Sequence, residues 1–143
     1  MSNDPRVERL TRFFETLTPD SVARIGTVYA DDARFKDPFN DVRGIERIRR
    51  VFDHMFRQVD EPRFVVTHAM CDGDEAFLAW DFTFRLKRST GPAQTIRGAT
   101  HIQFAHDGRV AVHRDYWDAA EELYEKLPLL GGLMRFIKRQ VSR

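Results

Sequence analysis

His113, Asp115 and Trp117 stand two residues apart in Val110 to Trp117, a stretch that reads as a β-strand. Side chains alternate along a strand, so the three share one face. That face then carries an imidazole, a carboxyl group and a large aromatic platform. An apolar wall raises a carboxyl group's affinity for its proton, and an imidazole titrates near neutral pH, so the pair has the means for general acid-base chemistry. Neighbouring arginines leave a structural reading open, with Asp115 in an ion pair to a residue such as Arg97 and His113 as a hydrogen-bonded core histidine.

The turn sequence Asp107-Gly108 sets the register of the strand before it. A two- or four-residue loop there places Ala105 opposite Val110, Ile102 opposite His113 and Thr100 opposite Asp115, and sends His101, Arg114 and Arg97 to the other face. A three-residue loop would invert the faces. The second group with chemical potential is Asp37-Pro38-Phe39-Asn40, where Asp37 is either a general base at a strand end beside Phe39 or a turn former with a solvated carboxylate.

The elements that must position these groups follow from local patterns. Asp4-Pro5 and Thr18-Pro19 are helix starts. The first leads into Val7, Leu10, Phe13, Phe14 and Leu17; the second into Val22, Ile25, Val28 and Tyr29. Arg34 to Asp37 predicts a short strand stopped by Pro38. After Gly44, the residues Ile45, Ile48, Val51, Phe52, Met55, Phe56 and Val59 predict an amphipathic helix closed by Pro62. The period then shifts to strands at Phe64 to Met70, Ala76 to Leu86, Thr95 to Phe104 and Val110 to Trp117, separated by Asp/Gly and Ser/Gly/Pro turns. The reading is an α+β, cone-shaped domain: three N-terminal helices packed on a curved antiparallel sheet, residues 1–118, with a C-terminal helical extension over residues 119–143.

Composition bounds the function. A chain of 143 residues fits one domain, and 42% hydrophobic residues with twelve Phe fill one core. The net charge of +1 gives no overall field toward nucleic acid or an anionic membrane. The single cysteine, Cys71, forms no internal disulfide, and no Cys/His spacing marks a metal site. No Gly-rich phosphate loop or nucleophile elbow appears, so chemistry without a cofactor or metal is expected. The charged first residues and the lack of a long apolar run predict a cytoplasmic protein with no membrane span. The tail, with Leu123, Leu127, Leu130, Leu133, Phe136, Ile137 and Val141 beside Arg135, Lys138, Arg139 and Arg143, is expected to pack on its own domain or a dimer mate, with a membrane or partner contact as the alternative.

Tyr29-Ala-Asp-Asp-Ala-Arg-Phe-Lys-Asp-Pro-Phe39 resembles the segment leading to the catalytic Asp-Pro of ketosteroid isomerases. Phe104-Ala-His-Asp-Gly-Arg-Val110 with Asp115-Tyr116-Trp117 is similar to that family's closing hairpin. The order of elements from Val7 to Asp118 resembles the wider group of SnoaL-like polyketide cyclases and nuclear-transport-factor-two-like domains. The resemblance implies a cavity between helices and sheet that binds a small, largely apolar, ketone-like molecule, with a homodimer formed through the sheet. It assigns Asp37 as the proton-shuttling base. The family's oxyanion-hole tyrosine falls on Phe13 and its protonated aspartic acid on Thr100, or on His101 in a slipped register. Neither Phe13 nor Thr100 is the family's residue, and Asp115 and His113 are placed to supply the missing donors.

The expected catalytic set is therefore Asp37, Asp115 and His113. The expected ligand wall is Phe13, Phe39, Phe56, Trp80, Phe82, Thr100, Ile102 and Trp117. The expected reaction is an isomerase- or cyclase-type proton transfer. A hydrolase using Asp37, Arg97 and Asp115 requires Arg97 inside the cavity, whereas a non-catalytic binding or interaction domain would leave both aspartates structural.

Overall fold

The structure is a computed structural model, and it describes residues 2–87 and 91–122 together with 137 and 139–141. Helix α1 spans Pro5–Glu15, with Asp4 accepting a hydrogen bond from the Arg6 amide at its start. Helix α2 is one turn, Pro19–Val22, closed by reciprocal hydrogen bonds between Thr18 and Ser21. It does not continue to Tyr29 as the sequence suggests. Gly26 and the β-branched residues around it are poor helix formers, and the chain makes a short 3-10 turn over Ile25–Thr27 before entering a strand. Helix α3, Ile45–Gln58, follows Gly44, whose φ of 98° suits glycine.

Among the described residues there are six strands, in chain order β1 Tyr29–Lys36, β2 Asp41–Arg43, β3 Val59–Asp72, β4 Glu75–Leu86, β5 Gln94–Phe104 and β6 Val110–Tyr116. Their order in the sheet is β2-β1-β6-β5-β4-β3. The sheet is mixed rather than wholly antiparallel, because β1 pairs parallel to β6 while every other pair is antiparallel. Pro62 lies within β3, not at a helix end. An edge strand tolerates the missing donor, and pairing to β4 shifts between Asp60 and Arg63.

The register expected for β5 and β6 is present where the chemistry sits, with Thr100 opposite Asp115 and Ile102 opposite His113. It differs at the turn, where an irregularity at Gln103/Phe104 sets Phe104, rather than Ala105, opposite Val110. Val7, Leu10 and Phe14 of α1 and Ile48 and Phe52 of α3 bury against the sheet's inner face at Leu78 and Ile102. On the other face Phe77 stacks on His101, Arg114 covers Tyr116, and Met70, Phe77 and Tyr116 are exposed.

A last turn, α4 Ala119–Glu122, anchors through Glu122, which accepts from Arg97 at 3.1 Å. The apolar tail positions from Leu123 to Phe136 lie outside the described residues, and Ile137 and Val141 are exposed. Among the described residues no helix is long and apolar enough to cross a membrane.

Candidate functional site

Helices and sheet enclose a cavity of about 560 Å³. Its wall is mostly aromatic and aliphatic, and its polar groups are few and localised, as in small-molecule sites generally. Phe14 of α1 and Phe52 and Met55 of α3 form one side; Leu78, Trp80, Phe82 and Phe84 of β4 form another.

A chain of hydrogen bonds runs through the wall. The buried Tyr29 hydroxyl is 2.8 Å from His113 Nδ1, and His113 Nε2 is 2.7 Å from Asp115 Oδ1. The Thr100 hydroxyl donates to the same Asp115 oxygen at 2.6 Å and accepts from the Trp80 indole N–H at 2.7 Å. With the imidazole neutral, donors and acceptors alternate cleanly. Tyr29 donates to Nδ1, Nε2–H donates to Asp115, and Trp80 donates to Thr100, which donates to Asp115. The second carboxylate oxygen of Asp115 has no partner among the described residues. Asp115 lines the cavity, its side chain is 16% exposed, and no buried unpaired atom belongs to it, so that oxygen faces the open space.

Aromatic rings pack around this chain. His113 lies 4.5 Å from the Phe35 ring centroid, 5.6 Å from Phe14 and 5.9 Å from Tyr29. Burial pushes the Tyr29 hydroxyl well above the usual tyrosine range, and the nearby Asp115 charge adds to that. Tyr29 therefore stays a neutral donor. Gly98 admits Trp80, because a Cβ there would overlap the indole's six-membered ring. That close approach brings the indole N–H to Thr100.

Asp37 also lines the cavity, but its carboxylate closes a turn. Oδ1 accepts from the Phe39 amide at 2.8 Å, the Asn40 amide at 2.7 Å and the Asn40 side chain at 3.0 Å, and Oδ2 accepts from that side chain at 3.1 Å. This is the turn-forming alternative that the Asp-Pro sequence left open.

Of the expected set, the structure brings Asp37, Asp115, His113, Phe39, Trp80, Phe82, Thr100 and Trp117 to the cavity. Phe39 and Trp117 meet edge to face at 5.6 Å. Three expected wall residues are elsewhere. Ile102 is fully buried one pair further along β5, in the core behind the cavity. Phe13 turns toward Phe14, Tyr29 and Phe52, and Phe56 is half-buried against the main core. Helical spacing places Phe52 and Met55 on the cavity side instead.

Arg97 is 68% exposed and bonded to Glu121 and Glu122, so it neither pairs with Asp115 nor enters the cavity. Tyr29 was missed as a functional residue because the helical pattern absorbed it; its strand start beside β6 is a tertiary fact. His54, Arg57, Gln58 and Lys87 at the cavity edge were also missed, since nothing in local sequence distinguishes a rim from an exposed helix end. Among the described residues no cluster of His, Cys, Asp and Glu has the arrangement of a metal site.

Comparison with known proteins places this architecture. No curated protein matches the sequence. A protein with a ketosteroid isomerase-like fold from Catenulispora acidiphila, solved with trimethylamine, superposes with a TM-score of 0.72 and 16% identity, over 85% of this chain and 92% of its own. An NTF2-like protein of unknown function from Burkholderia pseudomallei gives 0.71 and 17%, over 85% and 95%. An LEH-like epoxide hydrolase from M. tuberculosis gives 0.64 and 18%, over 82% and 79%. At these identities the likeness is one of fold. The family model of the SnoaL-like domain matches residues 10–113, which run from the first helix to the histidine of the site. The chain belongs to the SnoaL-like domain family.

Proposed function

We propose that the protein binds a small, largely apolar carbonyl compound in this cavity and catalyses cofactor-free proton transfer next to the carbonyl, with Asp115 as the acid-base group. The observation that carries the reading is the shared Asp115 oxygen. Oδ1 is fixed by His113 and Thr100, which leaves Oδ2 facing the cavity at a defined angle. A positioned carboxylate in an apolar site meets the requirement of general acid-base catalysis. His113 backs the carboxylate, sharing charge as Asp115 gains and releases a proton, and Tyr29 holds the imidazole ring. Thr100 fills the position of the family's protonated aspartic acid and orients Asp115, which supplies a carboxyl group from the facing strand. Asp37, engaged in its own turn, shapes the cavity edge beside Phe39.

An enolate-forming isomerase and an aldol-type cyclase both use this step. Epoxide opening through Arg97 is disfavoured, since that guanidinium is on the opposite face. Exposed Met70, Phe77 and Tyr116 on the outer sheet face support a homodimer through the sheet, which sedimentation velocity would measure.

The test is hydrogen-deuterium exchange at the carbon beside the carbonyl, followed by NMR over a panel of cyclic ketones and enones. The wild-type protein should accelerate exchange in at least one compound, and Asp115→Asn should lower that rate about 100-fold or more. Asp37→Asn should retain most of it. An Asp115→Asn variant that is as active as wild type would sink the assignment. No acceleration and no line broadening with any compound would favour a non-catalytic domain.

A further inference from the structure

The two sides of the cavity differ in charge. Asp115 on β6 lies on one side, with Asp37 just past the end of β1, where Lys36 is paired to Arg114. Across the cavity, His54, Arg57 and Gln58 stand at helical spacing on the last turns of α3, and Lys87 stands just beyond β4. The Lys87 amide donates to the Gln58 carbonyl at 3.2 Å, so helix end and strand end form one continuous rim. Lys87 is paired with Asp60 at 3.1 Å. Arg57 is exposed and has no ion-pair partner among the described residues.

A cation in the last turn of a helix is favoured by the helix dipole, which accounts for the sign of the charge. It does not account for Arg57 standing at the edge of a cavity whose wall is mostly apolar. Between the rim and Asp115 lies a ladder of rings. Phe64 stacks on Phe82 at 4.4 Å, and Phe82 on Phe84 at 5.2 Å. Leu78 and Thr100, in the row of Asp115, and Leu86 and Arg57, at the rim, line the same cavity. A ligand that uses both ends therefore spans the cavity.

We propose that the ligand is an amphipathic anion: an extended aromatic or alicyclic body with its carbonyl toward Asp115 and a carboxylate-type group at the mouth, held by Arg57. This deepens the proposed function and rests on its reading of the cavity as the ligand site. Arg57 presents a planar fork of donors that matches two carboxylate oxygens, and Lys87, held by Asp60, adds a weaker positive field.

The test uses 4′-acetylbiphenyl-4-carboxylate and its neutral methyl ester as probes, with binding measured by calorimetry on the full chain. Wild type should bind the acid about tenfold more tightly than the ester, the effect of one charge-assisted pair. Arg57→Gln should remove that preference while leaving ester affinity unchanged, and Arg57→Lys should keep part of it. Raising the salt from about 50 mM to about 500 mM should narrow the gap, because the rim is solvent-exposed. Equal affinity for acid and ester, or a preference that survives Arg57→Gln, overturns the anion inference and leaves the cavity reading intact. Binding of neither probe overturns both.

Discussion

His113 and Asp115 meet at 2.7 Å on one face of β6, and the imidazole of this pair is the more deeply buried partner, 3% exposed against 16% for the carboxylate. The order matters. A histidine at the cavity surface backed by a buried aspartate would make the imidazole the reactive group. Here both line the cavity, but the carboxylate is the more exposed of the two and the imidazole is packed among aromatic rings. The site is therefore built as a supported carboxylate, and the residues that support it are the ones whose loss should be measurable.

Thr100 supports Asp115 from the facing strand and is the sole acceptor for the Trp80 indole N–H among the described residues. Thr100→Val keeps the shape but strands that buried donor and removes one donor from Asp115. The expected cost is about 1–3 kcal/mol of stability, the range for a buried group left unpaired. Thr100→Ser should recover most of it, because it restores the hydroxyl. Urea unfolding of the three proteins measures this, and a Val variant as stable as wild type would show that the Trp80 bond carries no weight.

Tyr29 should be silent in an alkaline titration. Burial favours its neutral form, so its folded ionisation lies above the unfolded value near 10. A raised value means that its contribution to stability is complete below pH 10 and is lost as pH rises further, because the unfolded chain releases the proton first. Native wild type and Tyr29→Phe should show the same tyrosinate absorbance near pH 10, and differ by one tyrosine only after denaturation. A one-tyrosine difference between the native proteins at that pH would contradict the buried donor.

How far the sequence reveals this site depends on the range of the interaction concerned. Thr100 facing Asp115 was legible because a hairpin turn fixes register locally and strand parity does the rest. Tyr29 was not, because whether Ile25 to Tyr29 continues a helix or opens a strand is decided by pairing with β6, some eighty residues away. The same holds for the sheet's mixed character: β1 alone carries no sign of the parallel partner it takes. Asp37 marks an intermediate case. Its turn-forming chemistry is written in Asp-Pro-Phe-Asn, but that Oδ1 accepts three donors is a fact of the folded loop.

Asp4 links the start of the chain to the cavity through α1, which carries Phe14 into the wall. Arg6 bonds to Asp4, and its guanidinium also reaches Asp74 and the Gly73 carbonyl, tying the helix to the β3–β4 turn. The Arg6 hydrogen bonds hold the Asp4 carboxyl well below the usual carboxylate range. A lowered value contributes stability that is present above the unfolded value of 3.8 and is lost as pH falls through the folded one. The stability gap between wild type and Asp4→Asn should therefore be full at pH 7 and shrink progressively below about pH 4. A gap that stays constant down to pH 3 in urea titrations would assign the effect to capping geometry rather than charge.

Gly98 is needed for space, not for backbone freedom. Its backbone has no positive φ, yet a Cβ would overlap the six-membered part of the Trp80 indole. Gly98→Ala must push the ring toward the cavity, breaking the bond to Thr100 and filling ligand volume at once. Overpacking of this kind costs about 1–3 kcal/mol. Trp80→Phe lacks the atoms that collide, so in that background Gly98→Ala should cost much less, giving a coupling of at least about 1 kcal/mol in a double-mutant cycle. Binding of an apolar probe should fall in Gly98→Ala and recover in the double variant, because the smaller ring vacates the cavity. Additive effects of the two substitutions on stability, with binding unchanged in Gly98→Ala, would mean that Trp80 is not held against Gly98, and the orientation of Thr100 and Asp115 would then need another cause.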